Sequence, residues 1–224
     1  MYRKILNILD HSRELRQKSE SFPQYDQWSD SEKSTLVDLS DTFNVSQGLG
    51  LAAPQIGIKK RAIIISPSRL QMDSDVESLV LINPTIEVYG ETESGPEACF
   101  SVPGTLGNVT RQQSCKVSYT SIDGQKRVLE AEGFPAVCLQ HEIDHLDGIL
   151  YVDRMGPLSR KMLLKRLRKA DARKKQAAKL AKASFDRDHN FLPDDSLEKK
   201  KTTHSKKRKP KARKPRPKKS KKRK

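Results

Sequence analysis

Long apolar runs are missing from this sequence of 224 residues. None approaches the ~20 apolar residues that cross a bilayer as a helix, so no membrane partner is expected. The opening "MYRKILNILDHSREL" lacks the apolar core of a secretory signal, and Asp10 and Glu14 argue against a transit peptide. Cysteine is scarce. Cys99, Cys115 and Cys138 make an odd set with no paired framework. The expectation is a cytoplasmic protein in reducing surroundings, with an organelle as the alternative. There a lone cysteine more often ligates a metal or does chemistry than forms a disulfide. The last 26 residues hold no acid and no Phe, Tyr or Trp, so base stacking is not expected as their way of binding nucleic acid.

Positive charge is plentiful but unevenly placed. Residues 1–156 carry 15 basic and 22 acidic side chains, a net of −7. Residues 157–198 carry 12 and 6, and residues 199–224 carry 17 basic ones. An acidic body therefore bears a basic arm, and the two have different tasks. The division expected is a catalytic domain at 1–156, a basic helix at 157–185 and a disordered Lys/Arg-rich tail at 186–224.

Within the body, Ser29 to Ser31 offer an N-cap, and Leu36, Leu39 and Phe43 follow near helical spacing. Gly48 and Gly50 are expected to end that helix. Strands are predicted over 61–66, 78–89, 115–124 and 126–133, the last two joined by a tight turn at Asp123-Gly124. A second helix starts at Pro135 and stops at Gly148. A third runs over 158–183, with Leu158, Met162, Leu163 and Leu167 as its apolar stripe.

Three stretches carry chemistry. In "QHEIDHLDG" (140–148), His141 and His145 are four apart, so their rings share one helix face and suit one cation. Glu142 is placed to reach that ion's water as a general base, and Asp144 and Asp147 point elsewhere as supporting or surface groups. Such an HExxH shape also marks metalloproteases. A third ligand is needed, and Cys99 in "PEACFSVPG", a turn-rich segment between Pro96 and Pro103, is the best candidate. Cys115 and Cys138 are read as small buried hydrophobes. In "GLGLAAPQ" (48–55), small residues permit a close backbone approach, and Gln55 is placed to aim an amide donor at a developing oxyanion.

Together, "GLGLAAPQ", "EACFS" and "QHEIDH" resemble the three signature motifs of the peptide deformylases. The resemblance extends over roughly 6–178, with one departure: Ala98 stands where glycine is usual. It implies an α+β fold of antiparallel sheets around a central metal-binding helix. It implies removal of the formyl group from the N-terminal methionine of new polypeptides. Cys99, His141 and His145 match the metal ligands, with Fe²⁺ the usual ion and Ni²⁺ or Zn²⁺ able to replace it. Glu142 matches the general base, and Gln55 and the Phe100 N–H match the oxyanion donors. Leu49, Gly50, Phe134, Val137 and Cys138 match the substrate-binding surface. Arg111 matches a position near the downstream peptide, a solvated surface arginine being the alternative. The helix after the body resembles a ribosome-docking element, so N-formylmethionyl peptides and ribosomal RNA are the partners expected. Two other classes stay open at this stage: an HExxH metalloprotease, and a non-enzymatic RNA-binding protein with a structural metal.

Overall fold

The computed structural model describes residues 1–73 and 76–189. Most of the predicted tail, 190–224, lies outside them. Spatial proximity divides the chain into one unit over Met1–Ala177 and a second from Ala178 onward. Everything described below about the site belongs to the first.

The architecture is α+β, as expected. Helix α1 (Asp30–Ser46) precedes five strands, β1 (Gly50–Ala52), β2 (Ala62–Ile65), β3 (Leu79–Cys99), β4 (Val102–Thr120) and β5 (Lys126–Glu132). Helix α2 (Phe134–Leu146) and helix α3 (Pro157–His189) follow. The strands form one antiparallel sheet in the order β1-β2-β3-β4-β5, so β1 is an edge. That edge borders the site.

Each helix starts where local chemistry allows. Ser29 caps α1 and exchanges hydrogen bonds with Glu32, a capping box that satisfies two otherwise orphaned donors. The stop is Gln47, left-handed at φ 57°, rather than Gly48 or Gly50. Those two glycines serve the site instead. Pro135 occupies the first turn of α2, where no N–H is needed. Gly148, at φ 73°, turns the chain out of it. The side chains of Leu139, Ile143 and Leu146 pack against Ala52, Ile63, Ile65, Leu81, Cys115 and Val117 of the sheet. This cluster fixes α2 against β1 and β4, and so fixes whatever α2 carries on its other side.

Two expectations are corrected. The strands around Cys99 are much longer than the sequence suggested, and Cys99 ends β3 instead of lying in a turn-rich loop. Only Phe100 and Ser101 separate the two long strands. The outer half of β3, "YGETESGPE", is almost entirely exposed and polar, so it lacks the alternation that marks a half-buried strand. Register shifts at Tyr89/Thr92 and Glu97/Cys99 break the pattern further. On α3 the buried stripe is Leu163 and Leu167, helped by Leu164, against Ile8, Leu15 and Val152. Leu158 and Met162, expected in the stripe, are 71 % and 48 % exposed. The helix is one-sided, and these two fall off the face that the body covers.

Candidate active site

The two imidazoles arise from one helix face. His141 and His145 sit one turn apart on α2, with ring centroids 5.0 Å apart and planes at 85°. Cys99 reaches them from the end of β3, its Sγ 3.3 Å from His145 Nε2. One ligand atom from each of Cys99, His141 and His145 lies within 4.8 Å of the others. Ligand bonds of about 2.0–2.3 Å in a tetrahedron put neighbouring donors roughly 3.5 Å apart, so one sulfur and two nitrogens at this spacing fit a single ion with a fourth position left over.

The other nitrogen of His141 fixes its tautomer. Nδ1 lies 2.7 Å from Glu97 Oε2. Burial pushes the Glu97 carboxyl up, but the bonds from His141 and Arg111 outweigh it and hold it at about 2. Glu97 is thus ionised and only accepts, Nδ1 carries the hydrogen, and Nε2 is left for the cluster. Arg111 grips Glu97 with two bonds, Nε to Oε1 at 2.6 Å and Nη2 to Oε2 at 3.0 Å, and gives a third to Asp144 at 2.7 Å. Arg154 also binds Asp144. Burial disfavours charge on both histidines. In His145 it prevails and holds the ring well below its usual range. In His141 the bonds to Cys99 and Glu97 overcome it and raise the ring's pKa, so a proton and a cation compete for that position.

Glu142 projects between the ligands and β1. Its Oε2 is buried and has no hydrogen-bond partner among the described residues. Burial pushes this carboxyl up to about 7. A carboxyl with that pKa exchanges a proton readily at neutral pH. Gly50 makes room for it: a Cβ there would fall 2.6 Å from Glu142 Cγ and Oε1. Gly48, two residues earlier, makes room in the same way for the Phe100 ring, with Cε2 2.5 Å from its would-be Cβ. The glycines of this segment admit side chains, where the sequence suggested an approaching backbone.

Gln55 lies in the single 3₁₀ turn after β1 and is buried. Its Oε1 accepts from the Ala52 N–H at 2.8 Å, which turns Nε2 towards Cys99 Sγ at 3.4 Å and Ser101 Oγ at 3.3 Å. The donor thus faces the cluster through a bond its own backbone supplies.

A cleft of about 800 Å³ opens over these groups. Leu49, Gly50, Gln55, Cys99, Phe100, Phe134, Val137, Cys138, His141 and Glu142 all line it. Arg111 does not, and the expectations for it are corrected. It is 4 % exposed and outside the cleft's lining, so it is not a solvated arginine, and three buried acceptor contacts hold it in place. Ala98 lines the cleft from β3 and is not among the residues with positive φ, so its methyl brings no backbone strain. Glu97 was missed as a functional residue. The sequence signal was slight, an acid two residues before Cys99, and a register shift between the two breaks the regular alternation that would have made it legible.

Comparison with known proteins gives one consistent picture. A family model described as polypeptide deformylase matches residues 2–161. A peptide deformylase of Agrobacterium fabrum is 39 % identical over 158 residues, 70 % of this chain and 89 % of that protein. The structure of a peptide deformylase from Legionella pneumophila superposes with a TM-score of 0.67 at 34 % identity, covering 78 % of this chain and 98 % of that one. A class I type b peptide deformylase from Acinetobacter baumannii, solved with Met-Ala-Ser bound, superposes with a TM-score of 0.61 at 31 % identity, covering 69 % and 99 %.

Proposed function

Since this chain belongs to the polypeptide deformylase family and is a peptide deformylase, we propose that it removes the formyl group from the N-terminal formyl-methionine of new polypeptides, releasing formate, with one divalent ion held by Cys99, His141 and His145. The observation that carries this reading is the convergence of those three donors beside a buried, unpartnered Glu142 carboxyl. The donor set suits Fe²⁺, Ni²⁺ and Zn²⁺ alike, and Fe²⁺ is the ion proposed. An ion held there would supply an acidified water, with a pKa of ~7, and a Lewis acid for a carbonyl oxygen.

The chain's own groups do the rest. Glu142 takes a proton from the attacking water and returns one to the departing amine, and its buried, unpartnered Oε2 is free for both tasks. Gln55 Nε2 and the Phe100 N–H donate to the formyl oxygen as it becomes negative. The peptide runs beside the free edge of β1, where main-chain bonds at Leu49 and Gly50 hold it whatever its sequence. The methionine side chain enters the apolar part of the cleft formed by Leu49, Phe134, Val137 and Cys138. Glu97 keeps the His141 ring oriented, and Arg111 holds Glu97 in place. The basic arm holds the enzyme on ribosomal RNA in the cytoplasm by counterion release, supported by the 17 basic residues of 199–224.

A formyl-Met-Ala peptide assayed beside its unblocked form tests the reading. Formate release without internal cleavage is expected. Internal cleavage of the unblocked peptide would make the protein a metalloprotease. Ribosome affinity should fall steeply as salt rises, and a flat response would remove the arm's proposed role.

A further inference from the structure

A second groove, of about 830 Å³, adjoins the active cleft. Pro103, Gly104, Thr105 and Leu106 at the start of β4 line both, so one short wall separates them. Beyond it the groove is bounded by the first unit's part of α3 and, opposite, by Asn7 and Leu9. Met162, Arg166, Ala170 and Lys174 succeed one another at i, i+4 and run as one line along that helix. Met155 packs over Gly107 at the groove's floor: a Cβ on Gly107 would fall 2.5 Å from its sulfur.

The groove mixes apolar and polar lining in similar measure, with a positive accent. Leu106, on the shared wall, is 69 % exposed. Among the described residues Arg166 and Lys174 make no ion pair, whereas the Asp171 carboxylate is bound by Lys175 at 2.9 Å. From Ser159 to Lys174 the helical wall is about 22 Å long at 1.5 Å per residue. An extended peptide covers that length in roughly six or seven residues. A polypeptide laid along β1 with its first residues in the cleft has to leave it, and the wall shared at Leu106 leads into this groove.

We infer that the groove receives the downstream stretch of the polypeptide whose first residues occupy the cleft, roughly residues four to ten, and favours apolar and acidic side chains there. The inference rests on the deformylase reading and adds a substrate preference to it. A peptide suits the lining better than RNA, because the groove adjoins the cleft that takes the peptide's first residues and offers no aromatic face for a base. Contacts so far from the formyl carbon are equal in the ground and transition states, so they lower KM and leave kcat alone. Each exposed charge contact contributes about a two- to fivefold effect. Two of them with apolar burial give a KM about tenfold lower.

The test compares three substrates of the metal-loaded enzyme at low salt: formyl-Met-Ala-Ser and two twelve-residue extensions of it, one acidic and apolar, the other basic and apolar. The acidic extension is expected to show about a tenfold lower KM than the tripeptide at equal kcat, and the basic one no gain. The double variant R166E/K174E, altered at exposed positions, should reverse that order and leave the tripeptide's constants unchanged. Equal KM for all three substrates, or a gain that survives the double variant, would overturn the inference while leaving the deformylase reading intact. No formate from the tripeptide would overturn both. A short polyuridine that binds the unaltered enzyme but not the double variant, and displaces the acidic peptide, would assign the groove to nucleic acid and end the proposal.

Discussion

Helices α2 and α3 place their charges in opposite ways. Helix α2 has 13 residues and buries ten, including His141, Glu142, Asp144 and His145. Helix α3 has 33 residues, and of its described side chains only Leu163 and Leu167 are buried. Charged groups withdrawn from water are costly unless paired, and those of α2 are tolerated because each has a defined task or partner. Asp144 is bound by Arg111 and Arg154, His141 by Glu97. Glu142 Oε2 and His145 Nδ1 lack a hydrogen-bond partner among the described residues; His145 is assigned to the ion and Glu142 to carry the proton. On α3 the charges face solvent at little cost, and two leucines hold the helix to the body. Function in α2 therefore depends on its polar residues, and attachment of α3 on its apolar ones.

Substitutions test that contrast. The largest effect is expected at Glu142→Ala, with kcat for formate release down by ~10²–10⁴ and circular dichroism unchanged. Arg111→Ala comes next. It takes from buried Glu97 its two-bond partner and from Asp144 one of its two arginines, so urea unfolding should show a loss of about 3–5 kcal/mol. Gln55→Ala should lower kcat by ~10²–10³ with little change in KM, since its donor serves the transition state. On α3, Leu167→Ala should cost about 2 kcal/mol or more in the same unfolding measurement. Leu158→Ala, at an exposed position, should stay within about 0.5 kcal/mol. Equal costs for the two leucines would break the one-sided picture of α3.

The contrast also explains what the sequence disclosed. The i, i+4 histidines declare themselves because a helix turns by a fixed angle per residue, and Pro135 and Gly148 mark both ends of α2. Cys99 and Gln55 were legible because few other side chains offer a soft ligand or an uncharged donor near such a pair. Arg111 was not, since nothing in "VTRQQS" reveals that Glu97 and Asp144 lie within reach; those contacts span 14 and 33 residues. The long outer strands were hidden by their polar, bulged sequence. Gly48 and Gly50 were noticed, but what fills the space they leave, the Phe100 ring and the Glu142 side chain, depends on tertiary packing. In α3 the apolar stripe was found, though which of its members are covered depends on Ile8, Leu15 and Val152 from distant parts of the chain.

The most direct measurement is an anaerobic titration of the metal-free protein with Fe²⁺, following formate release from a formyl-Met peptide. Activity should rise linearly and break at one ion per chain, and Cys99→Ala should show no such rise. Full activity before any ion is added, or an undiminished rise in the Cys99→Ala variant, would contradict a single centre built from one thiolate and two imidazoles.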